Sequence, residues 1–362
     1  MPAGRVTLAE PIQPLVSVCV VTGARPRALD ALLTSLRQQV DPPPFEVLVC
    51  GTADASVARQ VHRHFPDARV GFGPAARPGG GRNDLLPAAR GEWLYFLDDD
   101  VTVGSDGLRI IAELSRRHPE AGVFGGPNDT PARSSWFQQV QGAVLGSVAG
   151  SGPVRRRYGA HPAAPARERD LILCNLAIAR AAMEPFDASA VCAEENGVLA
   201  ELARKGVLMR YEPSLAVYHD RRPDLRTFTR QMHTYGRGRG RLIMRDVSTV
   251  RPTYLLAPAL VVYVALLPVL AMLGALAVVP LLAYAAWILA GATKVTSSWK
   301  SGRPSTFALA AVLLVVVHSA YGTGVLRGLV RTPPAPRYTF RWLDGAPTEV
   351  TAGITAKHVS GG

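Results

Sequence analysis

The sequence predicts an α/β fold with a mostly parallel sheet, followed by transmembrane helices in the C-terminal third. Three observations support this prediction. The first 125 residues alternate between short apolar runs, typical of buried strands, and segments with apolar residues at helical spacing. One such run ends in three consecutive aspartates, Asp98, Asp99 and Asp100. Long runs without charge follow residue 251, at 252–293 and 304–326. Alternating strands and helices favour a parallel sheet with helices on both faces.

Each predicted element has a local reason in the sequence. The run at 15–21 is apolar throughout, and the helix after it, at 26–39, carries leucines at 29, 32, 33 and 36. In the helix at 56–65, Val57, Val61 and Phe65 share one face, and Pro119 ends the helix at 106–118. The other predicted elements are strands at 45–50, 69–72, 93–97, 122–125 and 207–211, and helices at 83–90 and 194–205.

Between these elements, residues 126–170 are rich in Gly, Pro, Ala and Arg. We predict a long, partly irregular crossover or loop there. Long loops within compact domains are often functional.

The aspartate triplet is the main candidate for a functional site. Asp is a poor strand former, so the buried strand at 93–97 should stop where the acids begin. Three neighbouring carboxylates repel one another unless a cation lies between them, and Mg²⁺ and Mn²⁺ prefer oxygen ligands together with substrate phosphates. Ligands of such sheets bind beyond the carboxyl ends of the strands. The alternative reading is a polar loop after a core strand.

Charge and cysteine content narrow the partners and the compartment. The 362 residues carry a formal charge of +12 with a pI near 10.0, which suggests nucleic acid or an anionic membrane surface. No zinc-finger spacing or RNA-binding signature is present, so we expect no nucleic-acid partner. The four cysteines, at 19, 50, 174 and 192, form no CxxC pair and are expected to be reduced, as in the cytosol. Residues 1–13 lack an apolar core, so we expect no cleaved signal peptide.

The C-terminal third is predicted to enter a membrane. The uncharged run at 252–293 is long enough for two helical spans of about 20 residues each, and 304–326 could form a third. Arginines at 226, 230, 237, 239, 241 and 245 and the basic loop at 294–303 belong on the cytoplasmic side by the positive-inside rule. A third full span would place Arg327 and the arginines after it outside, so either that run is re-entrant or interfacial, or the rule fails here.

These features divide the chain into five predicted segments. They are an N-terminal tail at 1–13, an α/β domain at 14–225, a basic juxtamembrane segment at 226–251, a transmembrane region of two to three helices at 252–328, and a C-terminal tail at 329–362.

Several motifs, in order, resemble the family 2 glycosyltransferases, which have the GT-A fold. The resemblance covers residues 14–245 well and the membrane part loosely. The matching motifs are the opening strand Pro14–Thr22, Gly80-Gly81-Arg82-Asn83-Asp84-Leu85, the DxD-type triplet Asp98–Asp100, Cys174-Asn175-Leu176-Ala177-Ile178 with Phe186-Asp187, and the acidic pair Glu194-Glu195. Tyr235–Arg239 and Tyr321–Gly324 resemble membrane-bound members that build glycolipids or exopolysaccharides.

The resemblance implies a metal-dependent, inverting transfer from a nucleotide-sugar donor to a lipid or lipid-linked glycan acceptor. Mg²⁺ or Mn²⁺ would neutralise the charge of the diphosphate leaving group. The implied metal ligands are Asp100, Asp98 and His219. The implied donor contacts are Thr22, Asp54, Arg82, Asn83, Asp98 and Asp99, and the candidate acceptor or diphosphate contacts are Asn175, Arg237 and Arg239.

The general base is implied at the second position of the acidic pair, Glu195, with Glu194 beside it. A carboxylate there would take the proton of the acceptor hydroxyl. Three other readings are structural: the acidic pair favoured at a helix N-terminus, Arg82 and Asn83 as loop and N-cap, and His219 as a buried structural histidine.

The sequence departs from the family pattern in three places. Gly51 stands where members have an aspartate that contacts the base, and Asp54 is the candidate substitute. Gln231-Met232-His233-Thr234-Tyr235 replaces the Gln-x-x-Arg-Trp motif of processive synthases, so we expect one sugar per encounter. Glu195 replaces the usual Asp and adds one methylene of reach. Two alternatives remain: a catalytically silent, glycosyltransferase-like membrane binding protein, for which Gly51 is the best support, and a nucleotidyltransferase.

Overall fold

The computed structural model describes residues 13–23, 25–51, 55–73, 78–188, 193–297, 304–330, 337–343 and 348–351. Asp54 and Cys192 lie outside these residues, as do 298–303 in the predicted basic loop.

The strands belong to two sheets. They are β1 (Val16–Val21), β2 (Phe45–Gly51), β3 (Arg69–Phe72), β4 (Trp93–Asp98), β5 (Val101–Val103), β6 (Ala121–Gly125), β7 (Asn128–Asp129), β8 (Ala164–Pro165), β9 (Asn175–Ala179), β10 (Leu208–Tyr211), β11 (Val217–His219), β12 (Arg337–Trp342) and β13 (Thr348–Thr351). The large sheet has the order β13-β12-β3-β2-β1-β4-β9-β6-β10-β8, and the small sheet has the order β5-β11-β7.

The helices flank the large sheet and then form the C-terminal region. They are α1 (Pro26–Arg37), α2 (Ala55–His64), α3 (Pro78–Leu85), α4 (Gly107–Arg117), α5 (Trp136–Leu145), α6 (Val148–Ser151), α7 (Glu194–Arg204), α8 (Leu225–Arg245), α9 (Pro252–Leu273), α10 (Val279–Ser297) and α11 (Pro304–Val330).

The α/β prediction is confirmed, but the sheet is mixed rather than mostly parallel. Strands β3, β2, β1 and β4 are parallel neighbours. Strand β9 then inserts between β4 and β6, antiparallel to both. The sequence of a strand indicates that it is buried but not in which direction it runs in the sheet. The direction of β9 depends on the long connection that precedes it. Both faces of the sheet are covered: Val16, Val18 and Val20 of β1 point into one apolar cluster and Cys19 into the other.

One local prediction was wrong, and a second segment is more ordered than its composition suggests. The helix predicted at 83–90 begins earlier, as α3, and ends at Leu85, where a short 3-10 turn containing Pro87 follows. Three consecutive glycines disfavour a helix, but Pro78 suits the first helical turn and packing overrides the weak propensity of glycine. The predicted irregular segment 126–170 contains α5, which starts with a capping box formed by Ser135 and Gln138.

The C-terminal region adds a third apolar cluster to the molecule. Helices α9, α10 and α11 are long and apolar enough to cross a membrane. The cluster joins α10 and α11 to α5, α6 and α8 through Val144, Ala149, Phe228, Ile288 and Leu314, among others. After α11 the chain returns to the large sheet, where β12 pairs antiparallel with β3. Cys19, Cys50 and Cys174 are buried and free, as predicted.

Candidate active site

The carboxyl ends of β1 and β4 form the edge that carries the acids. The two strands are parallel, with Val21 opposite Asp98, so Thr22 and the aspartate triplet emerge side by side. Asp99 is fully buried and accepts hydrogen bonds from Thr22 Oγ1 at 2.6 Å and from the Gly23 amide at 3.3 Å. Burial raises the pKa of Asp99, against the opposing charge of Arg25. Asp99 therefore joins the two strand ends.

Asp100 meets His219 because the small sheet brings them together. Strand β11 pairs antiparallel with β5, which places His219 opposite Val101. His219 Nε2 lies 3.1 Å from Asp100 Oδ1, and Arg25 also pairs with the Asp100 carboxylate. Burial alone would raise the pKa of Asp100, but the charges of His219 and Arg25 hold it below its usual range.

A divalent cation fits this corner of the site. His219 Nε2 is buried and, despite its distance to Asp100, has no aligned hydrogen-bond partner among the described residues. The other ring nitrogen, Nδ1, lies 3.3 Å from the Asn128 amide. An imidazole nitrogen beside a carboxylate is a suitable ligand pair for Mn²⁺. The described residues contain no cluster of three or more His, Cys, Asp or Glu that could hold a metal alone, so a cation here would need ligands from the substrate.

Arg82 connects the aspartate edge to the acidic pair. Its guanidinium donates to Asp98 Oδ1 at 2.6 Å and to Glu194 Oε1 at 3.0 Å, and its side chain is almost fully buried. Helix α3 approaches closely because Gly79 has no side chain: a Cβ there would lie 2.5 Å from the Asp187 carbonyl and 3.2 Å from Glu194 Cγ. Burial raises the pKa of Glu194 to about 7, although Arg82 opposes the shift.

The first turn of α7 presents the acidic pair. Ala193, just before it, has φ 61°, a left-handed conformation that is strained for a residue with a side chain. Glu195 Oε1 accepts from Arg157 at 3.1 Å and from the Asn196 amide at 3.1 Å. Asn196 Oδ1 accepts from Arg157 at 2.9 Å and from Arg239 at 3.0 Å. Glu194 thus belongs to the Asp98–Arg82 network and Glu195 to a separate cluster of arginines.

One large cavity of about 1470 Å³ joins these groups to the C-terminal helices. At one end it is lined by Asp98, Arg82, Glu194 and Glu195. At the other end it is lined by the apolar helices α9, α10 and α11, through residues that include Leu260, Tyr263, Tyr284, Trp287, Val317 and Tyr321. Arginines also line the cavity, including Arg157, Arg222 and Arg239, and the guanidinium of Arg239 stacks 4.3 Å from the Tyr254 ring of α9.

The remaining predicted residues lie elsewhere. Asn83 exchanges hydrogen bonds of 2.8 Å with the Phe186 backbone, one in each direction. Asn175 is fully buried, with its amide taken up by Tyr95 and by backbone carbonyls of Pro127 and Leu215. The backbone of Arg237 packs against Gly324 and Gly328 of α11. These three residues are therefore left out of the site proposed below.

Sequence reasoning missed Arg25, Arg157 and Asn196. Arg157 is the last of three consecutive arginines in a segment that was predicted to be loop, and Asn196 directly follows the acidic pair. The arginine run was the available signal, because buried guanidinium groups need carboxylate partners.

Known proteins match the chain in part of its sequence and in its fold. Residues 17–165 match the model of the family described as Glycosyl transferase family 2. The mannosyltransferase PcManGT from Pyrobaculum calidifontis, in complex with GDP-Man and Mn²⁺, matches with a TM-score of 0.57 at 17% identity, covering 88% of this chain and 87% of that chain. S. aureus TarS 1–349 in complex with UDP covers 92% of this chain and 98% of that chain, at 15% identity and a TM-score of 0.43. No curated protein matches the chain.

The similarity to PcManGT shows a shared architecture across most of both chains. The family match covers β1 to β8, which includes the strand end with the aspartate triplet, Arg82 and Arg157. Residues 17–165 therefore match a family 2 glycosyltransferase domain in sequence, and the chain shares the GT-A-like fold of PcManGT.

Proposed function

We propose that this chain is a membrane-associated, metal-dependent, inverting glycosyltransferase that moves one sugar from a nucleotide-sugar donor to a lipid or lipid-linked glycan. The observation that carries the proposal is the continuous cavity between the acidic strand edge and the uncharged helices. A water-soluble acceptor would not need an apolar wall formed by α9, α10 and α11. The catalytic domain would lie on the cytoplasmic side, where the arginines of α8 can meet anionic headgroups.

The donor would bind at the aspartate edge. Asp100 and His219 would hold Mg²⁺ or Mn²⁺, with Asp98 oriented by Arg82 towards the donor. When bound, the cation would supply charge neutralisation for the diphosphate leaving group. PcManGT, which shares the fold, was solved with GDP-Man and Mn²⁺, and this supports a nucleotide sugar and a divalent cation as ligands.

Glu195 is the proposed general base because it lies on the acceptor side. Its neighbours Arg157, Asn196 and Arg239 also line the cavity, and Arg239 stacks on Tyr254 of α9. The described hydrogen bonds to Glu195 all go to Oε1, which leaves Oε2 for the acceptor hydroxyl. The acceptor oxygen would bond to the sugar carbon as the bond to the diphosphate breaks, its proton would pass to Glu195, and nucleoside diphosphate would leave.

Glu194 has a different proposed role, on the donor side. Its ionised carboxylate balances Arg82, which in turn orients Asp98. Because burial raises the pKa of Glu194 to about 7, the carboxyl loses its charge as the pH falls through that value. We expect kcat/KM for the donor to rise with pH through about 7, and Glu194→Gln to remove this part of the profile and raise KM.

Kinetics with varied donor at fixed acceptor and metal would check this prediction. Glu201→Gln on the same helix is the matched control, since Glu201 pairs with Arg204 at 2.7 Å and is partly exposed. If kcat/KM of Glu194→Gln still rises with pH through about 7, the titrating group is not Glu194.

Attachment to the membrane should resist salt. The Debye length falls to about 3 Å at 1 M salt, which screens contacts between arginines and headgroups but not apolar insertion. We expect the full-length chain to stay in the membrane pellet after a high-salt wash and to be released by detergent. If the high-salt wash releases all of the protein, the attachment is electrostatic and no helix is inserted.

A thermal-shift screen of nucleotide sugars with Mn²⁺ tests donor binding directly. A ligand at 100 times its dissociation constant stabilises the folded state by about 2.7 kcal/mol. We expect one nucleotide-sugar class to raise the Tm of the detergent-solubilised chain only when Mn²⁺ or Mg²⁺ is present. If no nucleotide sugar raises the Tm, the result would favour a catalytically silent binding protein, for which Gly51 is the supporting feature.

A further inference from the structure

Helix α11 is attached to the catalytic side of the molecule along its whole length. Near its start, Trp136 Nε1 of α5 donates to Thr306 Oγ1 at 3.2 Å. In its second half, His318 Nε2 lies 2.8 Å from the Ala149 carbonyl of α6. Near its end, Gly328 packs on Gly240 of α8, where a Cβ on either glycine would lie 2.9 Å from the other's Cα.

The partners of α11 on the catalytic side, α5, α6 and α8, do not suit the core of a bilayer. The side chains of Gln138 and Gln141 in α5 donate to the backbone carbonyls of Arg221 and Arg222, at 2.6 and 3.0 Å. Helix α8 carries six arginines, and Arg239 reaches Asn196 in the active site. A helix of 27 residues is about 40 Å long, so crossing a core of about 30 Å would separate its two ends by the membrane. Both ends instead touch elements that carry or bind charged residues.

Helices α9 and α10 behave differently. They are joined by a single 3-10 turn, and the side chains buried in them lie away from that turn: Tyr254 and Pro258 in α9, and Ile288, Ala292 and Val295 in α10. Nearer the turn, Tyr284 Oη of α10 lies 3.0 Å from His318 Nδ1 of α11. The turn between them is the most exposed part, with Met272 at 85% and Leu273 and Leu276 each at 83% exposure. The pair is therefore a hairpin whose base rests on α11 and whose tip projects away.

The tip of this hairpin suits hydrocarbon better than water. Residues 272–279 contain only Met, Leu, Gly, Ala and Val, and no charge occurs from 252 to 293. Tyr263 Oη donates to the Ala277 carbonyl at 2.6 Å, which satisfies a backbone acceptor in the turn. Inside a bilayer such groups have no water to bond, so internal partners are required. A loop emerging on the far side of a membrane would need no such partner and would tolerate polar residues.

The chain beyond α11 also stays on the catalytic side. Strand β12 pairs with β3 in the large sheet, with Arg341 opposite Phe72, and the Leu343 amide donates to the Val70 carbonyl at 2.9 Å. A chain that begins and ends in one sheet must cross a membrane an even number of times. Three full spans are therefore incompatible with this pairing.

We propose that the C-terminal region inserts into one side of the membrane only: the α9–α10 hairpin enters the hydrocarbon and returns, while α11 lies across its base and does not cross. Lipid acyl chains cover the exposed apolar surface of the hairpin, because this surface is uncharged and is flanked by the arginines of α8. This resolves the alternatives left by the sequence in favour of an interfacial third helix. It does not depend on the proposed activity.

Cysteine labelling in sealed vesicles of opposite orientation tests the proposal with the full chain. Val247→Cys marks the catalytic side, Val330→Cys marks the end of α11, and Leu276→Cys marks the tip; all three side chains are at least 77% exposed. We expect an impermeant maleimide to label positions 247 and 330 from the same face. Position 276 should stay protected from both faces until detergent is added. The parent chain, with its native cysteines, gives the background.

Three results would overturn the proposal. Labelling of positions 330 and 247 from opposite faces would show that α11 crosses. Labelling of position 276 from the face opposite position 247 would show that the hairpin emerges. Extraction of the parent chain by alkaline carbonate as a soluble dimer would assign the apolar surface to a second copy. Because labelling needs no substrate, loss of the proposed enzymatic function would leave these outcomes readable.

Discussion

Glu195→Gln should lower the turnover number by roughly 10²–10⁴-fold, the usual contribution of a general base. Glutamine keeps the size of the side chain and can still accept hydrogen bonds from Arg157 and Asn196, but it cannot take the proton of the acceptor hydroxyl. Donor affinity should change little, because Glu195 lies in the acceptor-side cluster and not in the Asp98–Arg82 network. The measurement is kcat with saturating donor, metal and lipid acceptor, compared with donor binding by calorimetry.

Two matched variants sharpen this result. Glu201→Gln makes the same chemical change on the same helix, away from the cavity, and should be near normal. Glu194→Gln should mainly raise the KM for the donor. If Glu195→Gln transfers sugar at a near-normal rate while Glu194→Gln does not, the base is Glu194; if both are near normal, Asp187 is the next residue to substitute.

Asp100→Ala should abolish the dependence of donor binding on Mn²⁺ and lower catalysis by roughly 10²–10³-fold, the typical effect of removing one group that stabilises developing charge. The partly buried carboxylate pairs with His219 and Arg25, so the variant also loses the oxygen ligand that faces the imidazole nitrogen. Calorimetric titration of donor with and without Mn²⁺ measures the effect.

The control for this variant is Asp106→Ala, which removes the same charge from a partly exposed side chain that pairs with Arg109 at 3.1 Å. That variant should bind donor and metal normally. His219→Ala should resemble Asp100→Ala if both residues hold the cation. Unchanged metal-dependent affinity in Asp100→Ala would remove the aspartate triplet from the metal site.

The sequence allowed much of the sheet and its functional edge to be predicted. Strands such as β1 and β4 are largely apolar runs, and the aspartate triplet marks where β4 should end, so the position of Asp98 was available from pattern alone. The direction of β9 and the return of β12 to β3 were not, because both depend on pairing between segments far apart in the chain. Helix α3 was misplaced because its glycines serve close packing against the acidic pair rather than local helix stability.

The active site was predicted unevenly for the same reason. His219 was identified as a possible partner of Asp100 although 119 positions separate them, and the pairing of β5 with β11 brings them together. The ion pair of Glu195 with Arg157 was missed, because only the folded connection between β7 and β9 brings the arginine run beneath α7. Polar residues that looked functional, such as Asn175, hold the fold together through buried hydrogen bonds.

The central claim is sugar transfer to a lipid-linked acceptor at the edge that carries Asp98 and Asp100. The most direct measurement is mass spectrometry of the products formed by the detergent-solubilised full-length chain with a stabilising nucleotide sugar, Mn²⁺ and a membrane lipid extract. We expect a lipid that is heavier by one sugar residue, together with an equal amount of released nucleoside diphosphate. Glu195→Gln should form neither product. A lipid product that retains the nucleotide would indicate a nucleotidyltransferase, and the absence of any product from a donor that binds would contradict catalysis.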